Sequence, residues 1–229
     1  MDFSSSTILE DRMNRIMGRE DTMPARAYIL TLSLFIAGGL ALAAFVASLT
    51  YNMQTTLWWL LPYFGLSIPG VILSAKSDHW PFSTLGYIMV IVPTGAIIGP
   101  YVHLYKIESV LEVAVVTMGV SLGIGIMGAI YPKSVEHWGG FLLTALIILI
   151  VGDLAKAFMP AFGLQPTALA LWDWVGVFLF SAFIFYDMNR AMRMPYTLDN
   201  AVDNAVALYL DIINLFIRLL SIMGEKDSD

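Results

Sequence analysis

The sequence predicts an all-α, polytopic membrane protein with seven transmembrane helices, the last helix lying in the bundle interior. Three observations carry this. Hydrophobic residues make up 58% of the 229-residue chain and charged residues only 13%, about half the charged share of a soluble domain; mean hydropathy is +0.75. Apolar runs recur at the length of roughly 20 residues that a bilayer crossing demands. Within the final run, Asn204, Ala207, Asp211, Asn214 and Arg218 fall in one narrow stripe at about 100° per residue. A polar stripe at membrane depth faces protein or water.

Three regions follow: a polar segment at 1–27, a transmembrane domain at 28–223 and a polar tail at 224–229. In the first, Arg12, Arg15, Arg19 and Arg26 alternate with five acids, and ILEDRMNRIM reads either as a short amphipathic surface helix or as a frayed tail. Tyr28–Thr50 is uncharged, and its Gly38-Gly39 pair permits close helix approach. Leu57–Ala75 carries Pro62 and Pro69, which kink helices; Phe82–Tyr105 is interrupted by Pro93 and Pro100. Val113–Tyr131 holds Gly119, Gly123, Gly125 and Gly128, read as a packing face. Trp138–Met159, Leu171–Met192 and Ala201–Met223 complete the set, each with an acid inside its limits. Trp58, Trp59, Trp80, Trp138, Trp172 and Trp174 fall near span ends, where indoles anchor at the interface.

Lysine and arginine placement sets the orientation. With the N-terminus inside, Arg12, Arg15, Arg19, Arg26, Lys76, Lys133, Arg190 and Arg193 are cytoplasmic, against Lys106, Lys156, Arg218 and Lys226 outside. The expected topology is N-terminus in and C-terminus out. No short positive-then-apolar signal peptide opens the chain, so targeting is expected from the first membrane helix. The chain has no cysteine, which excludes disulfides and thiolate metal sites, and its net charge of −6 argues against nucleic acid. No nucleophile–base constellation suggests an enzyme, and no resident cofactor is expected.

The chemistry concentrates in FIFYDMNRAM and ALYLDIINLFIRLL, where Asp187 and Asp211 sit inside apolar runs 24 residues apart. An acid at the centre of a membrane helix costs roughly 2.5–3.5 kcal/mol on insertion scales, so it faces the bundle interior and has a partner. The intervening chain, with Pro195, Asp199 and Asp203, suffices to end one helix and return the next beside it. Asp187 and Asp211 are therefore expected to be partners. The alternatives are a structural hydrogen bond for Asp211, and for Asp187 a solvated pairing with Arg190 one turn on.

Other polar residues have plainer readings. Asp153 and Lys156, one turn apart, read as a self-neutralising interfacial pair or the lining of an outer vestibule. Asp173 lies on roughly the face of Asp187, about 21 Å away along the helix; it marks either the second end of a pathway or an ordinary interfacial acid. His79, His103 and His137 are isolated near span ends and read as interfacial rather than metal-binding. DNAVDNAV lacks the glycine and terminal glutamate of an EF-hand, so Asp199 and Asp203 read as capping and charge-complementing the N-terminus of the last helix.

YDMNRAM followed by ALYLDIINLFIRLL resembles the end of the Bax inhibitor-1, or transmembrane Bax inhibitor motif, family. Its bacterial members are similar to calcium-leak proteins with an acidic pair on the last two helices, and Asp187 and Asp211 match that pair. The resemblance also implies an arginine near the end of the second helix that pairs with the first acid. Here the nearby cation is Lys76, and an ammonium does not reproduce a bidentate guanidinium contact.

Two carboxylates in contact titrate as a coupled unit. Together with the resemblance, this implies a pH-sensitive calcium leak with calcium as the bound or transported ion and protons as the switch. Calcium takes six to eight oxygens; Asn189, Asn214, backbone carbonyls and water are candidates for the remainder. The competing expectation is a non-conducting regulator that binds other membrane proteins, such as a protease or a cell-death component. A proton-coupled solute transporter is a third, though no inverted repeat is visible. The expected location is a bacterial plasma membrane.

Overall fold

Apart from one isolated bridge between Tyr105 and Lys226, the regular structure among the described residues is helical. The computed structural model describes residues 22–54, 59–77, 79–159 and 170–227. Among these residues the seven α-helices are α1 (Ala25–Thr50), α2 (Leu60–Lys76), α3 (Trp80–Val102), α4 (Ile107–Ile130), α5 (Gly139–Phe158), α6 (Ala170–Ala191) and α7 (Leu198–Met223), with a 3₁₀ turn at Glu136–Trp138. Six are long and apolar enough to cross a bilayer, with mean hydropathies from 1.3 to 2.4. The exception is α2, whose 17 residues span about 25 Å. The amphipathic reading of ILEDRMNRIM lies outside the described residues.

One boundary differs instructively from the hydropathy reading. Helix α4 begins at Ile107, six residues ahead of the expected Val113. Glu108 and Glu112 end the apolar run but not the helix: an acid in the first turn complements the helix dipole, and Glu108 stands there.

The helices divide into two compact units. The first takes in Met1–Gly99 and Arg193–Val206. Small residues bring its backbones together: a Cβ on Gly70 would lie 2.7 Å from the carbonyl oxygen of Gly86, and one on Gly86 would lie 2.5 Å from that of Gly70. Similarly, Gly95 approaches the Ala43 carbonyl and Gly99 that of Ala47, which seats α3 against α1. Of the Gly38-Gly39 pair, Gly39 is used by the Tyr87 hydroxyl, whereas among the described residues nothing lies within 4 Å of a Cβ on Gly38.

The start of α7 also belongs to this unit; Asp199 stands in its first turn, where an acid complements the helix dipole, but the reading of Asp199 and Asp203 as caps is corrected. Thr197 caps the helix: the Asn200 backbone N–H donates to its Oγ1 at 3.2 Å. Because the helix starts at Leu198, both aspartates already lie within it and reach sideways. Asp199 accepts from Ser83 Oγ at 2.7 Å, and Asp203 accepts from Ser74 Oγ. Asn204 donates to the Tyr28 hydroxyl at 3.1 Å and to its own helix at Asn200 O at 2.7 Å.

The second unit takes in Pro100–Met192 and Ala207–Asp229. Helix α4 presents Val110, Val113, Thr117, Ser121, Gly125 and Gly128 as its buried stripe and packs on α6. The four glycines of this helix are therefore not one packing face. A Cβ on Gly128 would collide with the Phe185 carbonyl, whereas Gly119 and Gly123 have nothing within 4 Å among the described residues. They lie off the buried stripe, on the helix's outer side. The expectation of a buried last helix stands: Val202, Leu208, Tyr209, Leu215 and Leu220 are at most 1% exposed.

Candidate functional site

Asp187 lies one turn before the end of α6 and Asp211 midway along α7. Their carboxyl groups are in hydrogen-bond contact. Each residue is 7% exposed. A bond between two carboxyls requires a proton on one of them, whose O–H donates to the other. One turn away on the same helix faces stand Ile184, Leu208 and Leu215, all at most 1% exposed, so the pair is flanked by hydrocarbon. Asp211 Oδ2 is buried and has no hydrogen-bond partner among the described residues.

The four residues expected to support the pair have separate places. Arg190 is exposed at the end of α6, close enough to Asp187 for its charge to act there. Asn214 donates to Leu210 O at 2.7 Å, within its own helix. Lys76 is exposed in the last turn of α2. The placement of Asn189 differs from the expectation of an ion ligand. Its amide donates to Gly128 O at 3.1 Å and Tyr131 O at 3.2 Å, while its oxygen accepts from Val135 N at 3.3 Å. It thus brackets the open carbonyls at the C-terminus of α4, a structural task. Replacing it with alanine leaves these groups without their amide partner, at roughly 1–3 kcal/mol for each buried group left unpaired. Asn189→Ala is expected to lower the unfolding temperature in detergent markedly.

Toward the C-terminus of α7, the same polar stripe carries a second cluster. Arg218 Nη1 donates to Asp153 Oδ1 at 3.0 Å and Asp173 Oδ1 at 2.8 Å, and Nη2 pairs with Asp153 Oδ2. Lys156 Nζ and Ser221 Oγ both donate to Asp173 Oδ2, each at 3.0 Å. Trp172 Nε1 donates to Asp153 Oδ1 at 3.1 Å, its ring lying over Gly152. This corrects two expectations. Lys156 pairs with Asp173 rather than with Asp153 on its own helix, and Trp172 turns inward to the cluster. Two acids thus meet two bases across α5, α6 and α7. Gly176 makes this possible, since a Cβ there would lie 2.7 Å from Arg218 Nε. The available signal was Arg218 itself: a guanidinium inside an apolar helix requires an anion, and Asp153 and Asp173 are the acids near the corresponding ends of α5 and α6.

Among the described residues, no group of three or more His, Asp or Glu side chains is arranged to hold a metal ion. His79, His103 and His137 stand apart from the acid pair in sequence.

These features define an integral membrane protein of helices that buries a carboxyl pair between its last two spans. The chain belongs to the Bax inhibitor-1 family: the family model described as "Inhibitor of apoptosis-promoting Bax1" matches residues 25–228. It is 26% identical over 200 residues to Bax inhibitor 1 of Schizosaccharomyces pombe, covering 86% of this chain and 73% of that protein. It is also 26% identical over 239 aligned positions to the inner membrane protein YbhL of Escherichia coli K12, covering 93% of this chain and all of YbhL. A BI1-like protein of Arabidopsis thaliana is 35% identical over 96 residues, 42% of this chain and 36% of that one.

Proposed function

We propose that this chain is a non-enzymatic, pH-sensitive calcium leak in which Asp187 and Asp211 are the proton switch and part of the ion path. The observation that carries the reading is the buried carboxyl contact together with the unpartnered Asp211 Oδ2. A buried polar atom without a partner is rare in a folded protein and has acceptor capacity for a proton, water or cation. With one shared proton the pair is hydrogen-bonded and ties α6 to α7. Loss of that proton leaves two negative charges that repel each other and attract a divalent cation. Flux is therefore expected to rise with pH across the transition of the pair. The residues support a cation or proton path, and the resemblance to bacterial calcium-leak proteins favours calcium as the ion. Since calcium takes six to eight oxygens and Asn189 is committed elsewhere, backbone carbonyls and water would supply the remainder.

The test is calcium efflux from liposomes containing only the purified protein. Efflux well above that of protein-free liposomes supports the leak. Background efflux at every pH removes it in favour of a second reading, a non-conducting regulator of other membrane proteins. That reading draws on Gly119 and Gly123, whose open faces on α4 allow another membrane helix to approach closely.

The proposed location is a bacterial plasma membrane with the N-terminus in the cytoplasm. A reporter fused after Arg193 is expected to read cytoplasmic and one fused after Asp229 external. A cytoplasmic reading at both positions would contradict the seven-span topology.

A further inference from the structure

Asp211, Asn214, Arg218 and Ser221 recur on α7 at helical spacing, so they share one face. Along it the guanidinium stands about 10 Å beyond the acid pair. Arg218 is held from two sides, with Asp153 on α5 and Asp173 on α6. Its side chain is 12% exposed and that of Asp173 is 11%, whereas Asp153, at 37%, opens outward. While the guanidinium is seated, it and Lys156 neutralise both acids, so the cluster offers a mobile cation no net attraction. A cation moving along the stripe from the pair would also meet the positive charge of Arg218.

We propose that Arg218 is a tethered cation that closes the polar stripe at the α7 C-terminal end, and that its departure from Asp153 and Asp173 is the opening step for cations. The proposal rests on the leak reading for what passes, but the closure is a property of the cluster itself. Opening leaves the mouth with one uncompensated negative charge, since Lys156 stays on Asp173, and removes the positive barrier in one movement. Gly176 provides the space in which the arginine stem lies, so closure requires no displacement of α6.

The natural absence of cysteine gives a test independent of calcium. Asn214→Cys, between the pair and the cluster, is reacted with a membrane-impermeant cationic thiosulfonate added to vesicles on the side of the α7 C-terminus. Slow labelling is expected with Arg218 present, at least tenfold faster labelling with Arg218→Gln, and slow labelling again with Arg218→Lys. If Arg218→Gln does not fold, Asp153→Asn with Asp173→Asn removes the seats while keeping the arginine and is expected to give the same rise. Equal labelling rates in folded proteins with and without the arginine or its seats would overturn the proposal. Calcium efflux is measured on the same charge variants without the cysteine. Faster labelling with no efflux from any protein supports the closure and removes the leak reading. Raised efflux with unchanged labelling overturns the closure and keeps the leak.

Discussion

Asparagine at position 211 is expected to abolish most of the pH dependence of calcium flux, and asparagine at 187 to do the same. Each change keeps size and a hydrogen-bonding amide while removing one of two carboxyls that are in contact. The wild-type pair passes from one shared proton at low pH to two charges at higher pH; a single remaining acid has no second charge to develop. The doubly substituted protein is expected to differ little from either single one, because residues acting as one unit are strongly non-additive. Folding should survive, since neutralising a membrane acid lowers its insertion cost. Independent, additive effects of the two substitutions would place the acids in separate sites. The measurement is efflux from liposomes over a pH series, with monodisperse elution as the control for folding.

A comparably large effect on stability is expected at Gly128. A methyl group there meets the backbone of Phe185, whose Cα and carbonyl carbon would both lie 3.1 Å away. Backbone cannot swing aside as a side chain can, so α4 and α6 must separate, and overpacking of this kind costs typically 1–3 kcal/mol. The shift would also strain the bond from Asn189 to the Gly128 carbonyl. Gly123→Ala is the contrast. Among the described residues nothing lies within 4 Å of its added Cβ, and alanine is the better helix former by about 1 kcal/mol. Gly128→Ala should lower the thermal unfolding midpoint in detergent, and Gly123→Ala should leave it unchanged or raise it. Equal losses would mean that both glycines pack.

The contrast also shows where sequence reasoning works in this chain. Long apolar runs report burial in lipid or protein directly, so the helices were legible, and an acid inside such a run is costly enough to reveal Asp187 and Asp211. Which glycines touch a neighbour depends on helix rotation, and an apolar helix has no polar face to reveal it; hence Gly119 and Gly123 read like Gly128. Charges near span ends were harder for a different reason. Asp153 and Lys156 have a ready explanation within one helix, yet side chains of this length also reach a neighbouring helix. The choice of Asp173 for Lys156 and of both acids for Arg218 is made by the packing of α5, α6 and α7. Asn189 looked like a spare ligand because it stands only two residues from Asp187, but two residues along a helix turn a side chain about 200° away. Its direction places it against the end of α4 instead.

That Asp187 and Asp211 share a proton which switches the protein is checked by infrared pH-difference spectroscopy of the purified chain in lipid. A protonated carboxyl has a C=O stretch distinct from that of a carboxylate. A protonated-carboxyl band is predicted that disappears over the pH range in which calcium flux rises, and that no longer titrates in that range in either Asp187→Asn or Asp211→Asn. A band unchanged by either substitution, or one titrating outside the range of the flux change, would contradict it.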